Sequence, residues 1–148
     1  MGFFSKKKTS ILEFLSADLK SIDIDTFEFL GYETNVSGTE FKKYKKIIPK
    51  ELNLFNEMEI IVFPSGQKNV FYKGSFADIN FSALKDFVND LTSIYGKDFI
   101  SSGKMDNSEI VNIKRNKYWS GRTWDNTKPV ISIDAIEGNT IKLSIMGV

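Results

Sequence analysis

The sequence contains neither cysteine nor histidine in its 148 residues. Disulfide bonds, thiol nucleophiles, thiolate zinc sites, imidazole metal ligands and histidine-based acid–base catalysis are therefore excluded together. The groups that remain for chemistry are carboxylates, lysine amines, hydroxyls and amides. From this composition we expect no metal site and no cofactor.

An excess of charge and a long apolar run are missing as well. The formal net charge is +1, so no long-range field favours nucleic acid or an anionic membrane as a partner. No apolar run approaches the length of about 18 residues that a transmembrane helix needs. The lysines at positions 6–8 lead into a mixed amphipathic stretch, unlike a signal peptide. We therefore expect a cytoplasmic protein without a transmembrane segment.

Aromatic residues, in contrast, are plentiful, with 13 Phe, 5 Tyr and 2 Trp. They supply the apolar area that disordered chains lack, and a chain of this length can remove roughly two-thirds of its unfolded surface from water. The sequence predicts a single domain over residues 9–148, preceded by a flexible basic tail at residues 1–8.

Apolar residues at helical spacing predict helices at residues 9–22 and 81–95. The second helix has the stronger boundary signals. Asn80 or Ser82 can cap its start, and Gly96 stands where a left-handed residue ends a helix.

Between these helices the apolar period falls to two, which is typical of strands. Phe27 and Phe29 indicate a first short strand, and residues 35–38 indicate a turn. The lysine-rich segment at 40–48 has an ambiguous period.

Residues 58–63 and 70–76 predict a β-hairpin that turns near Gly66. An even-numbered loop sets two apolar pairs opposite each other on one face, namely Phe63 with Val70 and Ile61 with Tyr72. Both faces of this hairpin are then apolar. Each needs cover, either from the two helices packed on opposite faces or from a long loop or another protein molecule.

The last hairpin can be registered more tightly. A three-residue loop at 137–139 makes every cross-strand pair agree in polarity. The pairs are Ala135 with Ile141, Ile133 with Leu143, Ile131 with Ile145, Asp134 with Lys142, and Ser132 with Ser144.

Residues 107–116, between these regions, fit either a short capped helix or a strand. The sequence thus predicts an α+β fold, with two or three helices on one antiparallel sheet in the order α-ββ-ββ-α-(α)-βββ. Segregated runs of this kind argue against a doubly wound nucleotide-binding fold.

The candidate binding site is the cluster of Tyr118, Trp119, Arg122 and Trp124. Tryptophan, tyrosine and arginine dominate binding hot spots, so the cluster fits a small recognition platform. The competing interpretation is that the two indoles fill the end of the core and Arg122 covers them. In an extended segment Arg122 and Trp124 share a face, and Trp119 can swing about Gly121 to approach them.

An alternative site is a nucleic-acid patch in which lysines would follow phosphates and a ring would stack under a base. Its residues are Lys42, Lys43, Tyr44, Lys45 and Lys46. Lysines on an edge strand are also an ordinary protection against aggregation. Because the chain is nearly neutral, we expect no nucleic-acid partner.

A second alternative is a hydrolase that uses two carboxylates. The available acids include Asp23, Asp25, Glu28, Asp86 and Asp90. Nothing in the sequence places two of them in a cleft, and no phosphate loop or nucleophile motif is present. We expect no catalytic residues.

These observations favour a non-enzymatic protein-binding module, comparable at the level of fold to bacterial accessory or immunity-type proteins. Its partner would be another protein or a second copy of the chain in a homodimer. The sequence indicates no class of small-molecule ligand.

Overall fold

A computed structural model describes residues 22–126 and 129–147 of the chain. Within them, seven strands form one antiparallel sheet, together with two helices and a 3₁₀ turn at Ile24–Thr26. The elements are β1 (Glu28–Thr34), β2 (Glu40–Glu51), β3 (Phe55–Val62), β4 (Lys68–Ser75), α1 (Phe81–Tyr95), α2 (Asn107–Asn116), β5 (Trp119–Trp124), β6 (Val130–Ala135) and β7 (Thr140–Met146). The α+β class with an antiparallel sheet is confirmed.

The order of the elements differs from the prediction. The described chain opens with the 3₁₀ turn and β1, not with a helix. Ile22 is already non-helical, and Asp23 caps the turn by accepting a hydrogen bond from the Asp25 amide at 3.1 Å. Apart from Ile22, the helix predicted over 9–22 lies outside the described residues, as does the tail at 1–8. No described helix has the length and apolar character to cross a membrane.

Both described helices begin and end at the residues that their cap signals require. Asn80 caps α1 through its side chain, and Gly96 ends it with a φ of 82°. Asp106 caps α2 by accepting a hydrogen bond from the Glu109 amide at 2.9 Å. Residues 107–116, which fitted either a helix or a strand, therefore form a capped helix.

The sheet runs in the order β1-β2-β3-β4-β7-β6-β5, so β1 and β5 are its two edges. Alternate residues of each strand share a face. One row on what we call the helix face is Ile60, Val70, Ile145 and Ile131, which pack in one core with α1 and α2. The corresponding row on what we call the polar face is Glu59, Phe71, Ser144 and Ser132.

The register predicted for the middle hairpin is wrong by three residues, since Val70 lies opposite Ile60 and not Phe63. The cause is an odd-numbered loop. Gly66, with a φ of 88°, donates to the Phe63 carbonyl at 2.9 Å, and the Phe63 amide donates to the Gln67 carbonyl at 2.9 Å. This is the geometry of a three-residue hairpin loop with a bulge, which needs glycine at its left-handed position.

The middle hairpin is therefore not apolar on both faces, and that expectation is overturned. On the polar face Glu59 is buried between Lys43, at 3.5 Å, and Lys73, at 3.1 Å. Lys142 stands 5.6 Å from the ring centre of Phe71. In the described part of the chain, charged side chains cover this face, and both helices contribute to the core on the other.

The register predicted for the last hairpin is confirmed. Ile133 lies opposite Leu143 and Asp134 opposite Lys142, so each rung pairs like polarity with like. The segment left ambiguous at 40–48 belongs to strand β2, and the turn predicted at 35–38 joins it to β1.

Candidate functional site

The segment that holds both tryptophans forms β5, at one edge of the sheet. A β-bulge between Trp119 and Arg122 interrupts its pairing with β6, and Gly121 in the bulge has a φ of 85°. A Cβ atom at Gly121 would lie 1.8 Å from the carbonyl oxygen of Ile133, so only glycine fits. The bulge lets Trp119 and Arg122, three residues apart, turn toward the same helix.

That helix is α2, and the carboxylate of its Glu109 accepts hydrogen bonds from both Arg122 and Trp119. Arg122 donates through Nη1 to Oε2 and through Nη2 to Oε1, each at 2.6 Å. The Trp119 indole N–H donates to Oε2 at 2.8 Å, and the guanidinium carbon lies 5.8 Å from the centre of the Trp119 ring. A bidentate, charge-assisted pair of this kind fixes the orientation of both partners.

The loop from 96 to 103 runs along the outer side of β5. Trp124 donates through its indole N–H to the Gly96 carbonyl at 3.0 Å, and the Phe99 amide donates to the Thr123 carbonyl at 2.7 Å. Arg122 Nε donates to the Gly103 carbonyl at 2.9 Å. These three bonds attach the loop to the strand.

Asp98 holds the loop from within. Its carboxylate is buried and accepts hydrogen bonds from the amides of Ser102, at 3.1 Å, and Gly103, at 3.0 Å. Burial acts to raise the pKa of Asp98, but these amides and the charge of Arg122 outweigh it and leave the pKa below its ordinary value. Asp98 is thus a charged anchor of the loop.

The cluster predicted from the sequence is brought together, but most of it is buried. Trp119, Arg122 and Trp124 lie in the interior, and only Tyr118, 49% exposed, reaches solvent. The buried members give this edge a fixed base on which exposed groups stand. A binding role for the cluster stays a prediction.

A groove of about 360 Å³ opens beside the cluster. Glu109, Trp119 and Arg122 contribute to its lining together with Ile113 and Gly121, and the rest of it is mostly hydroxyl and amide side chains. Among these are Ser102, Asn112, Asn116 and Ser120, with Tyr118 alongside.

The 96–103 loop contributes Ser102 to this groove and also carries Phe99 and Ile100, each 70% exposed, which do not line it. We call Phe99, Ile100, Tyr118 and the groove the β5-edge surface. Sequence reasoning missed Phe99, Ile100 and Glu109. A usable signal for Glu109 was present, because an arginine between two tryptophans needs a carboxylate partner if it is buried.

The lysines of the alternative nucleic-acid patch are divided between the two faces of β2. Lys43 and Lys45 lie on the polar face, in ion pairs with Glu59 at 3.5 Å and with Glu57 at 3.2 Å. On the helix face, Lys42, Tyr44 and Lys46 lie opposite β3 residues of the core side; Lys46 donates to Thr26 and Lys42 lies over the Tyr32 ring. The five residues do not form one continuous basic surface.

The acidic residues considered for hydrolysis lie on separate elements. Asp23, Asp25 and Glu28 are exposed at the 3₁₀ turn and the start of β1, and Asp86 and Asp90 belong to α1. In residues 22–126 and 129–147, no three acidic side chains gather as a metal site would require.

Comparison of the chain with protein-family models, with curated proteins and with solved structures gives no match. The function is therefore argued from the geometry of the chain itself.

Proposed function

We propose that this chain is a non-enzymatic protein-binding module that docks an acidic segment of another protein on its β5-edge surface. The observation that carries the proposal is the pair Phe99 and Ile100, each 70% exposed on a loop that is bonded to β5. Large apolar side chains that are exposed together beside a groove mark interaction surfaces.

The base of this surface is rigid before any partner binds. The Glu109–Arg122 pair, the Trp119 indole and the Asp98 anchor hold the loop and the strand through hydrogen bonds of 2.6 to 3.1 Å. A docking surface that is already ordered loses less conformational entropy on association. The cluster therefore supports binding chiefly as the ordered base of this surface.

Charge around the surface indicates the chemistry of the partner. Between residues 96 and 118 five cationic side chains are exposed, and Asp106 is the one exposed carboxylate. The cations are Lys97, Lys104, Lys114, Arg115 and Lys117. Complementary potentials steer association, so an acidic segment is favoured. A second copy would present the same positive surface, which disfavours self-docking here.

The test compares two isoleucines with the same exposure at different places. Ile100 on the β5-edge surface is 70% exposed, and Ile47 on β2 is 69% exposed. Burying an isoleucine contributes about 1.5–3 kcal/mol, so Ile100→Ser should weaken partner binding by about tenfold or more, and Ile47→Ser should not. Alanine at Trp119 or Trp124 would not discriminate, because both are core residues.

The immobilised full-length chain is exposed to an extract of the cells that produce it, and a captured protein is purified. Its affinity for the parent chain and for both variants is then measured by calorimetry at two salt concentrations. The proposal is wrong if the parent captures no protein, or if Ile100→Ser binds the captured protein as tightly as Ile47→Ser does. Binding that strengthens with added salt would contradict the acidic partner.

A further inference from the structure

Within the described residues, the second edge of the sheet, β1, differs from the first because no other segment covers it. The 96–103 loop lies along β5, whereas no described element pairs with the outer side of β1. An edge strand with free backbone groups can accept another strand through main-chain hydrogen bonds. β1 is therefore a second candidate for docking, independent of the proposed function.

Three large apolar side chains of β1 are exposed, namely Phe29, Leu30 and Tyr32. The rings of Phe29 and Tyr32 meet edge to face with centres 5.5 Å apart, and Phe29 also contacts Tyr44 of β2 at 5.3 Å. Phe29 and Tyr32 lie opposite Tyr44 and Lys42, so both stand on the helix face.

A groove of about 360 Å³ lies beside Tyr32 at the end of this edge. Val62, Phe63 and Pro64 contribute to its apolar walls, and Lys42 closes one side. Apart from Tyr32, its lining belongs to β2, β3 and the loop after β3, so a strand added outside β1 would contact Tyr32 and not the groove itself.

The polar face of β1 shows which charges such a strand would carry. Its two charged residues are Glu28 and Glu33, and it has no cation. On the inner side, β2 meets this pattern with lysines: Lys45 lies opposite Glu28, and Lys43 stands 3.5 Å from Glu33. A strand that carries lysine or arginine therefore suits the outer side of β1 as well.

A second copy of the chain fits this edge less well. The longest symmetric antiparallel pairing that keeps the faces matched sets Phe29 against Tyr32, but it also sets Glu28 against Glu33 twice. Like charges directly opposite destabilise a strand pair. The bulge at Leu30 also limits regular pairing to a short run on either side of it.

We propose that β1 accepts a short extended segment of a partner protein, with lysine or arginine facing Glu28 and Glu33 and an apolar side chain packing against Phe29 and Tyr32. This adds a strand to the sheet at the edge farthest from the β5-edge surface. The partner differs from the acidic segment proposed for that surface.

The probe for this proposal is a labelled seven-residue peptide that copies Phe41–Ile47, the segment that already pairs with β1. Binding to the full chain is followed by fluorescence anisotropy. The variant Glu28→Lys/Glu33→Lys should bind about tenfold more weakly, because both favourable charge pairs become repulsive. The matched control is Glu137→Lys, since the Glu33 and Glu137 side chains are both 55% exposed and each pairs with a lysine.

A second peptide, with proline in place of the central tyrosine, keeps every charge but cannot form the same ladder. It should bind at least tenfold more weakly than the parent peptide. If the two peptides bind equally well, their binding is electrostatic attraction alone and the proposal is wrong. The proposal is also wrong if the Glu28→Lys/Glu33→Lys and Glu137→Lys variants bind the parent peptide equally well. If the chain forms a dimer and the parent peptide dissociates that dimer, the choice of partner is overturned.

Folding of each variant is verified by its thermal unfolding. Ile100→Ser must bind the parent peptide as the unaltered chain does, because it alters only the β5-edge surface. This control separates the two proposals, since either can fail without the other.

Discussion

Replacement of Glu109 by alanine is expected to lower the free energy of unfolding by about 3 kcal/mol. Removing one partner of a buried ion pair costs about 3–5 kcal/mol, because the remaining charge is left uncompensated in the interior. The Arg122 side chain is 3% exposed, but Glu109 is 26% exposed, so water reaches the pair from one side and the lower end applies. Arg122 keeps the Gly103 carbonyl as an acceptor, whereas the Trp119 indole loses its own.

Urea unfolding followed by tryptophan fluorescence measures this loss directly. The chain has two tryptophans, Trp119 and Trp124; both are buried, and Trp119 donates a hydrogen bond to the carboxylate that is removed. For a chain of this size a loss of 1 kcal/mol lowers Tm by about 2–4 °C, so Glu109→Ala should melt about 6–12 °C below the parent.

The matched control is Glu57→Ala on the polar face. Its partner Lys45 stands 3.2 Å away with a side chain that is 37% exposed, so the loss should be at most about 1 kcal/mol. A loss below about 1 kcal/mol for Glu109→Ala, or one no larger than the control, would refute the idea that the pair fixes this edge. The double variant Glu109→Leu/Arg122→Met, which removes both charges of the pair, should recover part of the stability, because the Trp119 N–H still lacks its acceptor and Asp98 loses the nearby charge of Arg122.

Two further changes test the local supports of the same edge. Gly121→Ala should cost about 3 kcal/mol or more in urea unfolding, because its Cβ would meet the Ile133 carbonyl at 1.8 Å, whereas Gly138→Ala, with nothing within 4 Å, should be nearly neutral. Folding lowers the pKa of Asp98 below its unfolded value of about 3.9. The ionised carboxylate therefore contributes its full stability above about pH 3.9, and that contribution is lost as the pH falls through the folded pKa. Below the folded pKa of Asp98, hydrogen exchange at the Gly103 amide of the parent chain should become faster relative to the intrinsic exchange rate of that amide. The variant Asp98→Ala should not show this pH dependence.

The two hairpins show when strand register can be predicted from polarity. In β6–β7 a shift by one residue sets Asp134 and Ser132 against apolar residues, and a shift by two sets Ser144 against Val130 or Ser132 against Met146, so only the observed register satisfies all rungs. In β3–β4 the strands have apolar residues at consecutive positions, so polarity alone does not distinguish an even-numbered loop from an odd-numbered one. The length of the loop at Gly66 decided the register, and it pairs Glu57 with Lys73, a match that the predicted register did not make.

The candidate site was predictable only in part. The grouping of Trp119, Arg122 and Trp124 on one side follows from local sequence, because a glycine next to an extended segment permits a bulge. The partner of Arg122 is Glu109, thirteen residues earlier on another element, and that pairing depends on how α2 packs. The exposure of Ile100 also depends on tertiary packing, since an isoleucine is more often buried.

The two proposals, one for each edge of the sheet, are compatible with each other. Six strand spacings of about 4.8 Å separate β1 from β5, a distance of about 29 Å, so both edges can be occupied at once without steric conflict. Between residues 96 and 118 the exposed charges are mostly positive, whereas the two charged residues of β1, Glu28 and Glu33, are negative, so the two proposals call for segments of opposite charge. Sites this far apart bind independently unless a two-state element joins them, and a continuous antiparallel sheet supplies none. Taken together, the two proposals describe an adaptor that would hold an acidic and a basic segment at opposite edges of one sheet.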